Sequence, residues 1–207
     1  MIYWLGYAFW KSLSWIFYPL RVKGAENLPS RGVKPRGGHA PLRGGFILAS
    51  NHQSYLDPMI IGLCFRRQLR YVAKKSLFRN RVFDFFLRGV GAFPIQRDSA
   101  DTGAIKETLK RLQEGWPVVI FPEGTTIKEQ KKVHPGIGLI AAKSGVPVVP
   151  VFIRDSDKVL APYDRFLKRH PVTVIFGRPK TYTKQTPYPD IARQIIEEIN
   201  SLARIAG

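Results

Sequence analysis

Seven residues, Asn51-His52-Gln53-Ser54-Tyr55-Leu56-Asp57, hold the side chains that general-base chemistry requires. An alcohol is a poor nucleophile until a base removes its proton, and histidine is the side chain whose ordinary pKa suits that task near neutral pH. The imidazole must be kept in one tautomer and its developing charge balanced, which a nearby carboxylate achieves. His52 is read as the base and Asp57, five positions on, as its partner. A turn brings that carboxylate back beneath the ring if Asp57 opens a helix. Asp57 followed by Pro58 also reads as a helix cap, with one carboxylate oxygen capping and the other orienting the ring. Ser54 raises a Ser-His-Asp hydrolase, but no G-x-S-x-G elbow surrounds it.

Two further stretches carry polar groups at strand exits, and a third is assigned to packing. Gly91-Ala92-Phe93-Pro94-Ile95-Gln96-Arg97 delivers one arginine, whose planar fork suits a phosphate. Phe121-Pro122-Glu123-Gly124-Thr125-Thr126 runs from an apolar segment into a turn with a carboxylate, a glycine and two hydroxyls. Val146-Pro147-Val148-Val149-Pro150-Val151 has prolines at the start of and within an apolar strand, which predicts packing at an edge or in an irregular ladder.

Elements that would position these groups follow from periodicity. Phe46–Ala49, Tyr71–Ala73, Ala92–Gln96, Pro117–Phe121, Val148–Ile153 and Val172–Phe176 are expected as six buried strands. Ile105, Leu109 and Leu112 repeat at helical spacing after Asp101 and stop before Gly115; Ile191, Ile195, Ile199 and Leu202 do the same after Pro189 and Asp190. The alternation predicts an α/β fold, a mostly parallel or mixed central sheet flanked by helices and preceded by an N-terminal membrane-associated helix. The organisation expected is a membrane-interface helix and lead-in over 1–28, a basic Gly/Pro-rich loop over 29–45, and the main domain over 46–207.

Charge implies an anionic partner: 33 Lys and Arg stand against 15 Asp and Glu, a net +18. Met1 to Leu20 contains eight aromatic residues, three of them tryptophan, interrupted by Lys11, Ser12 and Ser14. Trp4, Trp10, Trp15, Tyr3, Tyr7 and Tyr18 suit the headgroup level of a bilayer, so shallow insertion is expected rather than a span. Arg66, Arg67, Arg70, Lys74, Lys75, Arg79, Arg81 and Arg88, interleaved with Phe65, Phe78, Phe83, Phe85, Phe86 and Leu87, extend that surface. The membrane-binding set is Trp4, Trp10, Lys11, Trp15, Arg66, Arg67, Lys74 and Lys75. Cys64, the single cysteine, excludes an internal disulfide and reads as a small packing residue. His39, His52, His134 and His170 lack paired ligand spacing, so no metal is expected. A non-catalytic basic binder of nucleic acid or membrane is the alternative of another class, but it has no use for the His52–Asp57 pair.

Together the four blocks resemble the glycerophospholipid acyltransferase family typified by 1-acylglycerol-3-phosphate acyltransferases. Asn51, His52 and Asp57 match its Asn-His-x-x-x-x-Asp pattern, and Phe121 to Thr125 its Phe-Pro-Glu-Gly-Thr pattern. The resemblance covers most of the chain from Gly45 onward. It implies acyl transfer from acyl-CoA or acyl-acyl-carrier-protein to the free hydroxyl of a lysophospholipid, foremost 1-acylglycerol-3-phosphate to phosphatidate, or of another lysolipid or glycolipid. His52 is then the base, Asp57 its partner, and Arg97, Glu123, Gly124 and Thr125 belong to the acceptor's phosphate and glycerol site. Thr126 stands where many relatives carry arginine, and Lys128, Lys131 or Lys132 is the expected substitute. The implied partners are an anionic phospholipid surface, a lysophospholipid and acyl-CoA or acyl carrier protein, with no cofactor and no nucleic acid. The implied location is the cytoplasmic face of the inner or plasma membrane.

Overall fold

Seven strands form one sheet in the order β1-β7-β6-β2-β5-β3-β4 in this computed structural model, which describes residues 2–28, 44–65, 67–95, 102–127 and 133–205. The strands are β1 (Leu20–Lys23), β2 (Ile47–Ser50), β3 (Arg70–Lys74), β4 (Ala92–Ile95), β5 (Val118–Ile120), β6 (Val148–Arg154) and β7 (Val172–Phe176). β6, β2, β5, β3 and β4 run parallel. β7 is antiparallel to β6, and β1 runs with β7, so two strands at one side are reversed. The mixed α/β sheet is therefore the expected architecture, with the six expected strands and a seventh, β1, that periodicity does not predict. Its residues Leu20-Arg21-Val22-Lys23 form an edge with an exposed pattern and lack the apolar run that marks an interior strand.

Helices cover both faces. They are α1 (Ile2–Phe17), α2 (Asp57–Leu63), α3 (Arg81–Gly89), α4 (Thr102–Gln113), α5 (Gly136–Ser144), α6 (Ser156–Val159) and α7 (Tyr188–Ile205). On one face Tyr18, Phe46, Leu48, Ile60, Val151 and Val174 form a buried layer to which α1 adds Trp10, Leu13 and Phe17. On the other, Ile47, Val118, Ile120 and Val148 meet Leu112 of α4, Ile137 and Ile140 of α5, and Ile191, Ile195 and Ile199 of α7. Successive strand residues alternate between these layers, as a pleated sheet requires. Both periodic helices are present where expected. The α5–α7 seam is tight: a Cβ on Gly138 would sit 2.0 Å from the Tyr188 carbonyl oxygen, so only glycine fits.

Proline placement divides the expectation. Pro94 lies in edge strand β4, where a missing N–H costs no ladder bond. Pro150 lies in β6, an interior strand, which corrects the edge reading. The ladder there is irregular instead: Val151 pairs with Phe176 but Val148 pairs with Lys180, so three steps on β6 face four on the returning chain. This bulge places Pro150 where only its carbonyl is needed, accepting from Gly177 N at 2.8 Å.

Candidate active site

The parallel strands end on one edge of the sheet, and the chemistry gathers there. β2 leads into His52, and neighbouring β5 leads into the Phe121–Thr126 turn, with Ala49 and Ile120 in register. Asn51 clamps the first of these turns. Its Nδ2 donates to Ile153 O at 2.8 Å and its Oδ1 accepts from Ile153 N at 2.7 Å, so a side-chain amide completes the β6 ladder where β2 has stopped. Sequence reading matched Asn51 to a pattern without giving it a task, and this clamp is its structural role.

Asp57 is completely buried and opens α2, as the turn argument requires. Its Oδ2 accepts from Gln53 N at 2.7 Å and Ser54 N at 2.9 Å, and lies 2.8 Å from His52 Nδ1. One oxygen therefore carries all three contacts. The divided role expected for the carboxylate is corrected: Leu56 occupies the N-cap position, no side chain caps α2, and Asp57 Oδ1 has no hydrogen-bond partner among the described residues. A carboxylate oxygen that already accepts two N–H groups is an acceptor for the ring as well, so Nδ1 carries the hydrogen and Nε2 keeps its lone pair. His52 is 14% exposed, and Phe121 stacks on it with centroids 4.1 Å apart and planes 21° apart. The strand expected to run to Phe121 stops at Ile120, which frees the ring to support the imidazole.

The second turn is built around Gly124, whose φ of 68° is in the left-handed region, with its N–H donating to Phe121 O at 3.0 Å. Thr125 Oγ1 accepts from Ile127 N at 3.2 Å, and Thr126 is buried. Glu123 and Thr125 are half-buried. The Phe121 stack thus joins this turn to His52. Arg97, Lys128, Lys131 and Lys132 lie outside the described residues, as do Arg66, His39 and nearly all of the 29–45 loop.

Ser54 is not placed as a nucleophile. Its hydroxyl is buried, donates to Leu160 O at 2.7 Å and accepts from Leu56 N at 3.1 Å. Cys64 packs with Sγ 3.4 Å from Ile60 O, and burial pushes its thiol up to about 12, so it stays protonated near neutral pH. No three His, Cys, Asp or Glu side chains gather as a metal site among the described residues.

The aromatic N-terminal helix explains its own weak amphipathicity. Trp10, Leu13 and Phe17 pack on the core, while Trp4, Leu5, Phe9, Trp15 and Ile16 face outward. Ser14 is buried and donates to Lys11 O at 2.7 Å, so it does not interrupt the outer face. Lys11 is exposed, with Nζ 5.7 Å from the Tyr7 ring centroid. No described helix is long and apolar enough to cross a membrane. Three of the residues expected at that surface lie deeper in the fold than Trp4 and Trp15. Tyr18 is fully buried, with its hydroxyl 3.4 Å from Trp10 O. Trp10 is half-buried against the core. Arg67 is half-buried and donates through Nη2 to Gly115 O, because its long side chain bridges two loops. Lys75 is exposed, and the Lys74 side chain lies outside the description.

Known proteins are similar to this chain in sequence and in fold. A family model described as Acyltransferase matches residues 19–154. The 1-acyl-sn-glycerol-3-phosphate acyltransferase of Bacillus subtilis (strain 168) is 36% identical over 111 residues, covering 53% of this chain and 56% of that protein. The chloroplastic 1-acyl-sn-glycerol-3-phosphate acyltransferase BAT2 of Brassica napus is 29% identical over 199 residues, covering 93% of this chain and 54% of that protein. The chain spans about half the length of these curated relatives. The crystal structure of the 1-acyl-sn-glycerophosphate (LPA) acyltransferase PlsC from Thermotoga maritima has the same fold, with a TM-score of 0.69 at 22% identity, covering 98% of this chain and 78% of that one.

Proposed function

The chain belongs to the acyltransferase family, and from that premise we propose that it transfers a fatty-acyl group from an acyl thioester to the free hydroxyl of 1-acylglycerol-3-phosphate, giving phosphatidate. The observation that carries this reading is the 2.8 Å contact between His52 Nδ1 and the buried Asp57, whose accepting oxygen is held by two backbone N–H groups. His52 Nε2 takes the acceptor's hydroxyl proton as the oxygen forms its bond to the thioester carbonyl carbon. Asp57 balances the charge on the imidazolium. The carbon–sulfur bond then breaks, and the imidazolium returns its proton to the departing sulfur, leaving an ester and a free thiol. No acyl-enzyme is needed, which fits a site whose serine, Ser54, is buried with its hydroxyl engaged by Leu160 O and Leu56 N. Glu123, Gly124 and Thr125 line the acceptor side in this scheme, joined by Arg97 and Lys128 as phosphate-binding cations.

The outward apolar face of α1 holds the domain at an anionic bilayer surface, where the acceptor and product both reside. The purified protein is expected to esterify lysophosphatidate with acyl-CoA or with acyl-acyl-carrier-protein. The His52→Ala variant is expected to lose roughly 10²- to 10⁴-fold in kcat, the contribution of a general base. A folded His52→Ala variant that esterifies at the original rate overturns the mechanism, and a panel of lysolipids in which another acceptor is used faster overturns the substrate assignment.

A further inference from the structure

The segment between α6 and β7 has no place in the chemistry above, yet it projects two aromatic rings from the same sheet edge as His52. Tyr163 is 80% exposed and Phe166 is 81% exposed. Their exposure does not arise from a loose chain. Asp164 Oδ2 accepts from Ala161 N at 3.0 Å and pairs with Lys168 Nζ at 3.0 Å, while Lys168 N donates to Val159 O at 2.8 Å. Leu160 and Leu167 turn inward to the layer that holds Trp10, Leu13 and Phe17. Tyr163 also has a φ of 78°, a left-handed conformation that is unfavourable for an aromatic residue. A hydrogen-bonded loop thus holds two rings in water where a strained backbone and exposed apolar surface both oppose it.

Topology shows what lies beside them. Because β7 and β1 are reversed, the segment entering β7 and the helix entering β1 both reach the edge where the parallel strands end. Two contacts tie the loop to α1 and its exit, His170 N to Phe17 O at 2.9 Å and Val172 N to Pro19 O at 3.1 Å. One ties it to the catalytic turn, Ser54 Oγ to Leu160 O at 2.7 Å. Arg165, Lys168 and Arg169 are exposed against the single Asp164, a local excess of 3 − 1 = 2 positive charges between Ala161 and Arg169.

We propose that the 160–170 loop is a second membrane-insertion element, placing Tyr163 and Phe166 in the interfacial layer of an anionic bilayer beside α1, with Arg165, Lys168 and Arg169 at its headgroup phosphates. Aromatic rings flanked by cations are the composition that an anionic lipid interface takes up. Two contacts with the bilayer, α1 and this loop, fix how the domain tilts on it. Ser54 then couples that tilt to the turn that carries His52, so the catalytic edge faces the lipid from which the acceptor is drawn. The proposal rests on the membrane-surface reading of α1, and the test separates the two.

A single environment-sensitive fluorophore attached at Phe166→Cys, Ile16→Cys or Arg178→Cys in a Cys64→Ala background reports insertion at the loop, at α1, and at the opposite end of the sheet, just beyond the exit of β7. On vesicles of phosphatidylglycerol and phosphatidylethanolamine, blue shifts are expected at the first two positions and none at the third. A shift at Ile16→Cys alone overturns the loop proposal and leaves α1 as the anchor. No shift at either overturns both. A shift at Phe166→Cys produced by acyl carrier protein and not by vesicles overturns the lipid assignment. The Tyr163→Ala/Phe166→Ala double variant is expected to raise the vesicle Kd roughly tenfold or more. Its rate on a monomeric short-chain lysolipid is expected to match the unaltered protein, and an unchanged vesicle Kd overturns the proposal.

Discussion

Replacing Asp57 with asparagine separates the charge of the site from its geometry. Gln53 N and Ser54 N, at 2.7 and 2.9 Å, both require an acceptor, so the amide must set its oxygen where Oδ2 was. His52 Nδ1 then still meets an oxygen, and the tautomer with Nε2 unprotonated is retained. What is lost is the negative charge. A hydrogen bond to an ionised group contributes about 1.5–3 kcal/mol against about 0.5–1.5 for a neutral pair, so the imidazolium of the transition state loses about 1–2 kcal/mol. That is a fall in kcat of about 5- to 30-fold. The amide nitrogen falls at the position of Oδ1, buried without a partner, and costs about 1–3 kcal/mol of stability, so rates must be taken well below the midpoint of unfolding. Asp57→Ala behaves differently: two backbone N–H groups lose their acceptor and the ring loses its tether, and activity is expected to fall to the level of His52→Ala. The assay is the initial rate of ester formation with both substrates saturating, run in parallel on the three variants. Asp57→Asn at the original rate refutes charge stabilisation, and Asp57→Asn as inactive as His52→Ala refutes the claim that the two N–H groups hold the acceptor oxygen in place.

Asn51→Ala removes the amide that completes the ladder at Ile153, leaving a buried N–H bare; a loss of about 1–3 kcal/mol is expected, read in calorimetry as a Tm lower by about 2–4 °C per kcal/mol. Gly138→Ala forces a Cβ to within 2.0 Å of Tyr188 O, and chemical denaturation is expected to show a loss of about 1–3 kcal/mol or more. Cys64 is expected to resist maleimide at pH 8 in the native protein and to react fully in denaturant. Its thiol keeps its proton in both states below about pH 9, while from there to about pH 12 only the unfolded chain gives it up; the stabilisation present below the lower value is therefore lost as pH rises through that window, as denaturation measured at successive pH values would show.

Local signals decided what was legible. His52 and Asp57 are five residues apart and meet through one turn, so their pairing follows from short-range chain geometry. The two periodic helices and six strands were likewise visible, because burial on one face of a helix or on both faces of a sheet leaves a pattern in the residues themselves. Long-range closure leaves no such pattern. Asn51 and Ile153 are 102 residues apart, and nothing near Asn51 announces that its amide completes another strand. Pro150 looks like an edge residue until the bulge opposite it is known. Tyr18 and Ser14 have headgroup-suited and polar side chains, yet both turn inward, because a helix packed on a sheet buries whichever residues fall on that face.

The reversal of β7 and β1 has the largest functional consequence of these long-range features. In a wholly parallel sheet, α1 and the segment before β7 would enter at the end opposite His52, and an apolar surface there would hold the domain with its chemistry turned away from the bilayer. Reversing two strands brings both to the edge where β2 and β5 deliver His52 and Phe121. Under the proposed membrane-surface reading, the acceptor presents its hydroxyl at the lipid surface and the base sits on the side that touches lipid. On that proposal, strand direction, which side-chain type does not specify, is what suits the His–Asp pair of this chain to an interfacial substrate.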